Sequence, residues 1–230
     1  MYNICFSIVV DRLKTFAFLL LLFLFYHIYA YIELTPVNYF STFAIKFLQW
    51  TAKDVSLLMS LFFGTHCAGR FFGVPLSFVL RPRTMIIINV LITAIAYIIL
   101  LPIRSLNELL WASAALSGLG MATTYATALL WASESVAISG RVASLVTAGE
   151  SLGCIIEPQV VGRLFDLPAA GGPMFMVYVL VSAAIVHIVL FACMLTFVAR
   201  CTLNDSRLTE LPVRQTLVHA ATSPQQDTEQ

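Results

Sequence analysis

Four ionisable residues stand inside long apolar runs of this chain: Glu33, Arg70, Glu150 and Glu157. On insertion scales a charge at the middle of a membrane helix costs about 2.5–3.5 kcal/mol, so four left alone in lipid would cost about 10–14 kcal/mol, comparable with the stability of a whole domain. They must face one another, water or a ligand. Arg70 lies three residues past the midpoint of its run, about 4.5 Å along a helix axis and too deep for easy snorkelling. An acidic partner on another helix, Glu33 or Glu150, is its natural complement. Glu150 and Glu157 are seven residues apart, two helical turns, so both carboxylates point to one face. Ionised together the four groups sum to −2, and either a carboxylate is protonated or a cation spends time among them. A permanent clamp of Arg70 on one carboxylate, with Glu157 in water near the interface, is the purely structural alternative.

Further polar groups gather around these charges. The segment Glu33-Leu34-Thr35-Pro36-Val37-Asn38-Tyr39 sets carboxylate, hydroxyl and amide beside a proline that donates no backbone hydrogen bond. It predicts either a broken helix that exposes carbonyls to an ion or polar solute, or a kink healed by a neighbouring helix. Thr123, Thr124, Tyr125 and Thr127 form a hydroxyl cluster between Trp111 and Trp131, two tryptophans that read as interfacial anchors. His66 stands one turn before Arg70, as a packing residue or as a group that titrates near neutral pH. Glu33, Asn38, Arg70 and Glu150 are thus the candidate binding residues. His66, Thr124, Tyr125 and Glu157 are candidates for proton handling or polar lining. Gly69 and Gly73, with Gly64, Gly118 and Gly120, predict close helix contact.

The elements that must carry these groups follow from composition. Of 230 residues 60% are hydrophobic and 11% charged, whereas a soluble domain needs roughly 25% charged residues. A crossing helix takes about 20 mostly apolar residues, and six stretches qualify: about 15–43, 55–80, 84–101, 108–132, 142–162 and 174–199. They are far longer than the roughly 10-residue alternating strands of a membrane barrel, so the expected fold class is an all-α membrane protein with six transmembrane helices. Arg12 and Lys14 before the first run resemble a secretory leader, but the apolar stretch outlasts the usual 7–15 residues or so. Residues 1–14 read as a cytoplasmic segment and 200–230 as a polar, disordered cytoplasmic tail.

Six crossings put both termini on one side. Arg12, Lys14, Arg81, Arg83, Arg141 and Arg200 fall on that side, against Lys46, Lys53, Arg104 and Arg163 opposite, which predicts cytoplasmic termini. With 13 Lys+Arg against 12 Asp+Glu there is no basic surplus for nucleic acid. The five scattered cysteines form no metal or redox motif. Nor does any GxSxG, HExxH or phosphate-binding loop mark the chain as an enzyme.

At the second run, Ser60-Leu61-Phe62-Phe63-Gly64 and Gly69-Arg70-Phe71-Phe72-Gly73-Val74-Pro75-Leu76-Ser77 resemble the eighth helix of major facilitator superfamily transporters, in particular the sodium-dependent glucose transporter-like branch. Tyr31-Ile32-Glu33 with Tyr39-Phe40-Ser41-Thr42-Phe43-Ala44 is similar to that branch's seventh helix. Thr147, Gly149, Gly153, Pro158, Gly162 and Asp166 are similar to the superfamily's eleventh. Bulky His27, Ile28 and Tyr29 replace small residues of that pattern, which implies looser helix approach there.

The resemblance covers about residues 16 to 199, one six-helix half of a twelve-helix fold. It implies alternating access around a midplane site, transport of a hexose such as glucose, and Na+ or H+ as coupling ion, with no other cofactor. It also implies a plasma-membrane location and a second six-helix half or a second copy of the chain as partner, beside the lipid bilayer and a small polar solute. Arg81 and Arg83, with Glu134 and Arg141 in the spacing found after the tenth helix of sugar porters, would form a cytoplasmic gate. The competing expectation is a non-transporting membrane interaction or scaffold protein, whose buried charges dock a partner bundle.

Overall fold

A computed structural model describes the backbone of residues 2–103, 106–135, 139–165 and 172–222, and the side chains of those between 14 and 200. Arg104 and the loop residues 166–171, Asp166 among them, lie outside the described residues, as does the end of the tail from 223. The helices are α1 (Tyr2–Lys46), α2 (Ala52–Val79), α3 (Pro82–Ile98), α4 (Leu109–Met121), α5 (Thr124–Ser133), α6 (Gly140–Phe165) and α7 (Met174–Thr222). Only Ala122 and Thr123 separate α4 from α5, and the pair makes one traverse. The protein is an all-α membrane protein of six crossings, as its composition predicts.

Helix boundaries follow local chemistry. Thr51 and Asp54 form a capping box before α2: the Asp54 amide donates to Thr51 Oγ1 and the Thr51 amide to Asp54 Oδ2, each at 3.3 Å. Pro82 opens α3 at a position where its missing N–H costs nothing. The outermost helices are longer than expected. α1 begins at Tyr2 and α7 continues to Thr222, so backbone through residue 222 is helical where polarity alone predicts disorder. That stretch carries Arg207, Leu208, Glu210, Leu211, Arg214, Gln215, Leu217 and Ala220, all good helix formers.

Packing shows the order of the traverses. A methyl group at Gly149 would lie 2.7 Å from the Phe23 carbonyl, one at Gly153 2.6 Å from the His27 carbonyl, and one at Gly162 2.8 Å from the Tyr39 hydroxyl. Contact numbers rise together on α1 and α6, so these two helices run parallel. Gly118 likewise meets Thr65 and Phe62, while Gly69 meets Ala122 and Gly73 meets Thr123, which makes α2 parallel to α4 and α5. Asn89 reaches Thr123 and Thr93 reaches Gly120, so α3 runs opposite to that pair. This is the alternation that six successive crossings require. The close approach at His27 corrects the looser packing implied by its bulk: glycines on the facing helix supply the room.

Two apolar clusters fill the bundle. One joins Phe40, Phe43, Leu58, Tyr97, Leu100 and Met176, and the other Phe18, Leu22, Phe25, Ile86, Trp131 and Phe191. Trp131 is a core residue, with its ring 6.1 Å from Phe18 and 5.4 Å from Phe191, and not the interfacial anchor its position suggested. Outward faces are apolar too: Phe71, Phe78 and Val79 are 74%, 85% and 81% exposed, as suits side chains solvated by lipid.

Among the described residues three helices, Lys14–Lys46, Ala52–Val79 and Met174–Arg200, are long and apolar enough to cross a bilayer by length and composition alone. α3 is apolar but shorter. The fourth traverse misses that standard because it is broken at Ala122, and α6 carries Glu150 and Glu157.

The α1–α6 seam sets a test. Gly153→Ala forces a Cβ against backbone and should cost about 1–3 kcal/mol. Gly64→Ala meets nothing within 4 Å and should be neutral or stabilising by up to about 1 kcal/mol. Thermal unfolding of the two variants in detergent separates these outcomes; equal midpoints would refute the seam.

Candidate functional site

The break in the fourth traverse sits at a cavity. At Thr123 the backbone leaves ideal helical geometry (φ −116°, ψ −1°), and threonine hydroxyls bond carbonyls one turn back. Thr124 Oγ1 donates to the Gly120 carbonyl at 2.8 Å and Thr127 Oγ1 to that of Thr123 at 2.7 Å. Asn89 Nδ2 fixes the break from α3, donating to Thr123 Oγ1 at 2.8 Å. Small residues Gly69 and Gly73 let α2 lie directly against it.

Between this broken traverse, α2 and the α1–α6 seam lies a cavity of about 580 Å³, within the usual range of roughly 300–1,000 Å³ for small-molecule sites. Glu33 from α1, Arg70 from α2 and Glu150 from α6 all line it, beside Tyr29, Thr123 and Tyr125. Three of the four intramembrane charges therefore share one space. Glu33 feels the charge of both Glu150 and Arg70. Two carboxylates offer acceptors, the guanidinium offers donors in a planar fork, and two tyrosine rings supply apolar faces with hydroxyl tips. Tyr125 is held by its neighbour: its carbonyl accepts the Tyr26 hydroxyl at 2.8 Å, and the rings meet edge to face at 4.8 Å.

Glu157 and Asn38 are elsewhere. Glu157 is fully buried, which corrects the alternative that set it in water near the interface. Thr35 Oγ1 donates to Glu157 Oε1 at 2.8 Å and Asn38 Nδ2 to Oε2 at 3.2 Å. Asn38 thus belongs to a second polar layer and is not among the residues lining the cavity. Nor does Pro36 break α1. The carbonyl it frees, that of Ile32, accepts the Tyr97 hydroxyl at 2.8 Å, so the kink is healed by α3.

The remaining candidates fall outside the cavity lining. Thr124 is buried and spends its hydroxyl on the Gly120 carbonyl. His66 is half-buried with its ring parallel to Phe62 at 6.4 Å. Arg81, Arg83, Glu134 and Arg141 are all exposed near helix ends, with residues 136–138 of the connection outside the described residues. Arg141 edges a separate apolar cleft of about 450 Å³ with Phe16, Leu20 and Phe23. Sequence reasoning passed over Tyr29 and the break at Ala122-Thr123. Tyr29 stands one turn before Glu33, and the small residues Gly118 and Gly120 ahead of Thr123-Thr124 were the available signal.

The described helices thus form an all-α membrane bundle with a charged cavity among them. The chain is similar to proteins named as sodium-dependent glucose transporters and as a major facilitator superfamily domain-containing protein. It is 32% identical over 149 residues to sodium-dependent glucose transporter 1 of Xenopus laevis, covering 64% of this chain and 30% of that protein. It is 28% identical over 182 residues to sodium-dependent glucose transporter 1A of Mus musculus, covering 77% and 41%. It is 31% identical over 126 residues to mouse major facilitator superfamily domain-containing protein 4A, covering 54% and 24%. The chain thus spans well under half the length of these relatives. No family model and no solved structure matches it.

The cavity predicts a labelling pattern. Cysteine placed at 33, 70 or 150 should react with a water-soluble maleimide, while cysteine at 157 should react at least about tenfold more slowly, since modification follows exposure. Equal protection at all four positions would remove the aqueous cavity.

Proposed function

We propose that this chain forms one six-helix half of a cation-coupled carrier for a polar organic solute, a hexose such as glucose. The observation that carries the reading is the convergence of Glu33, Arg70 and Glu150 on one cavity. A sugar presents hydroxyls that donate to carboxylates and accept from a guanidinium, and C–H faces that pack on tyrosine rings. The printed names of relatives, sodium-dependent glucose transporters, point to the same solute and to sodium. Because the net charge of the three groups is −1 when all are ionised, a Na+ or H+ in the same half balances it.

In this reading both termini face the cytoplasm of a cell whose plasma membrane holds the protein. A second six-helix half, or a second copy of the chain, closes the cavity. Arg81 and Arg83 pair with Glu134, near Arg141, when the inner gate shuts. Alternating access then requires the solute to bind the outward and inward arrangements with different affinity at the moment of exchange.

The reading is tested by uptake of labelled glucose into vesicles holding the purified chain, with and without an inward sodium gradient. Gradient-dependent uptake is expected. Arg70→Ala should insert and assemble normally yet lose at least about tenfold in flux, as loss of a charged hydrogen bond of roughly 1.5–3 kcal/mol implies. A variant that keeps flux but no longer holds a partner bundle would favour the docking role instead. No uptake despite correct insertion would end the claim of autonomous transport.

A further inference from the structure

The apolar cleft beside Arg141 takes no part in the solute cavity. It holds about 450 Å³ between the first turns of α6 and the stretch of α1 from Phe16 to Phe23. Phe16, Leu20 and Phe23 recur at helical spacing along one face of α1, and Leu145 lines the α6 side. At its deep end Phe23 lies against Gly149. From Phe16 to Phe23 the helix axis rises about 10 Å, roughly two-thirds of one leaflet of a hydrocarbon core about 30 Å thick. Phe16 is 65% exposed and Leu20 49%, so the cleft lies open to whatever surrounds the bundle. The mouth differs from the interior. Gly149 and Gly153 meet Phe23 and His27, and the same pairing carried back along both helices sets Arg141 level with Thr15, where the apolar run begins. Arg141 is exposed, and it is the only polar side chain among the described residues that line the cleft.

That end of the bundle is basic as a whole. Among the described residues Lys14, Arg81, Arg83, Arg141 and Arg200 stand there against Glu134, whereas Lys46, Lys53 and Arg163 at the other end are offset by Asp54 and Glu108. An apolar groove alone accepts any hydrocarbon, and an exposed arginine alone accepts any anion. A groove that descends into the membrane from an arginine at its mouth fits a molecule with a chain at one end and a negative head at the other. We propose that the cleft binds an anionic phospholipid, with one acyl chain along Phe16, Leu20 and Phe23 and the head-group phosphate on the Arg141 guanidinium. The guanidinium fork matches two phosphate oxygens, and basic pockets between transmembrane helices take anionic head groups. The lipid comes from the leaflet on the side of the termini. Only the naming of that leaflet as cytoplasmic rests on the orientation proposed above.

Spin-labelled lipids in phosphatidylcholine vesicles holding the full chain test the site without any need for flux. A motionally restricted fraction is expected that favours phosphatidylglycerol over phosphatidylcholine by at least about fivefold, as one arginine near the membrane surface implies. Arg141→Ala should reduce that preference to less than about twofold. Arg83→Ala, at the same end but outside the cleft lining, should stay within about twofold of the parent. Leu20→Trp fills the cleft from a half-exposed position, so it spares the core, and it should abolish the preference. No preference in the parent, equal loss in Arg83→Ala and Arg141→Ala, or an unchanged preference in Leu20→Trp would each overturn the proposal, the second by assigning the effect to the charge of the whole end. A dimer that Leu20→Trp dissociates, with no lipid preference in either form, would overturn it too and give the cleft to a second copy of the chain. Preference for the anionic lipid in a chain that moves no glucose would support the site while the hexose reading fails.

Discussion

The backbone contact between α1 and α6 fixes everything else. At Gly149 and Gly153 the two helices approach until a methyl group would collide with the Phe23 or His27 carbonyl. Only at that separation does the Thr35 hydroxyl come within 2.8 Å of Glu157, and only then do Glu33 and Glu150 share a wall of one cavity. In a bilayer the hydrophobic effect does not drive helices together, so association depends on close van der Waals packing and on polar groups with no better partner. The seam uses both. Glycines bring the backbones together, and the charges that lipid would penalise are carried on the same strip of surface.

The second device is the management of interrupted backbone. A carbonyl without a partner is expensive in lipid; the chain loses a helical hydrogen bond at Pro36 and at Pro158, inside continuous helices, and breaks the helix at Ala122-Thr123. Two of these positions are answered by side chains of the third traverse: Tyr97 on α3 bonds the Ile32 carbonyl, and Asn89 on the same helix holds Thr123. α3 carries no intramembrane charge, yet it stabilises the irregular geometry of both helix pairs that flank the cavity. Its own packing at Gly120 is as close as the seam.

Much of this was legible in the residues. Apolar run lengths give the six traverses, and the expense of Glu33, Arg70 and Glu150 in lipid predicts that they gather away from it; all three line one cavity. Asn38 does not join that cavity, because Glu33 and Asn38 are near in sequence but five residues turn a helix by more than a full revolution. Their side chains consequently serve different layers. The doubled meaning of proline was also beyond the sequence. Whether Pro36 exposes its carbonyl or has it healed depends on a tyrosine 65 positions away, and no local pattern reports that distance. The break at Ala122-Thr123 contains no proline at all. It is set by tertiary contact with Gly69, Gly73 and Asn89, against helix-compatible local sequence.

The intramembrane charges divide into two layers that share one seam. The cavity layer draws on α1, α2 and α6, and the Glu157 layer on α1 and α6 alone. Both layers therefore depend on the register of one seam. Glu33, Thr35 and Asn38 are carried on α1 and Glu150 and Glu157 on α6, so neither layer rearranges while the other keeps its geometry. Glycine-to-carbonyl packing leaves little room for either backbone to yield, and the seam holds the two layers as one unit.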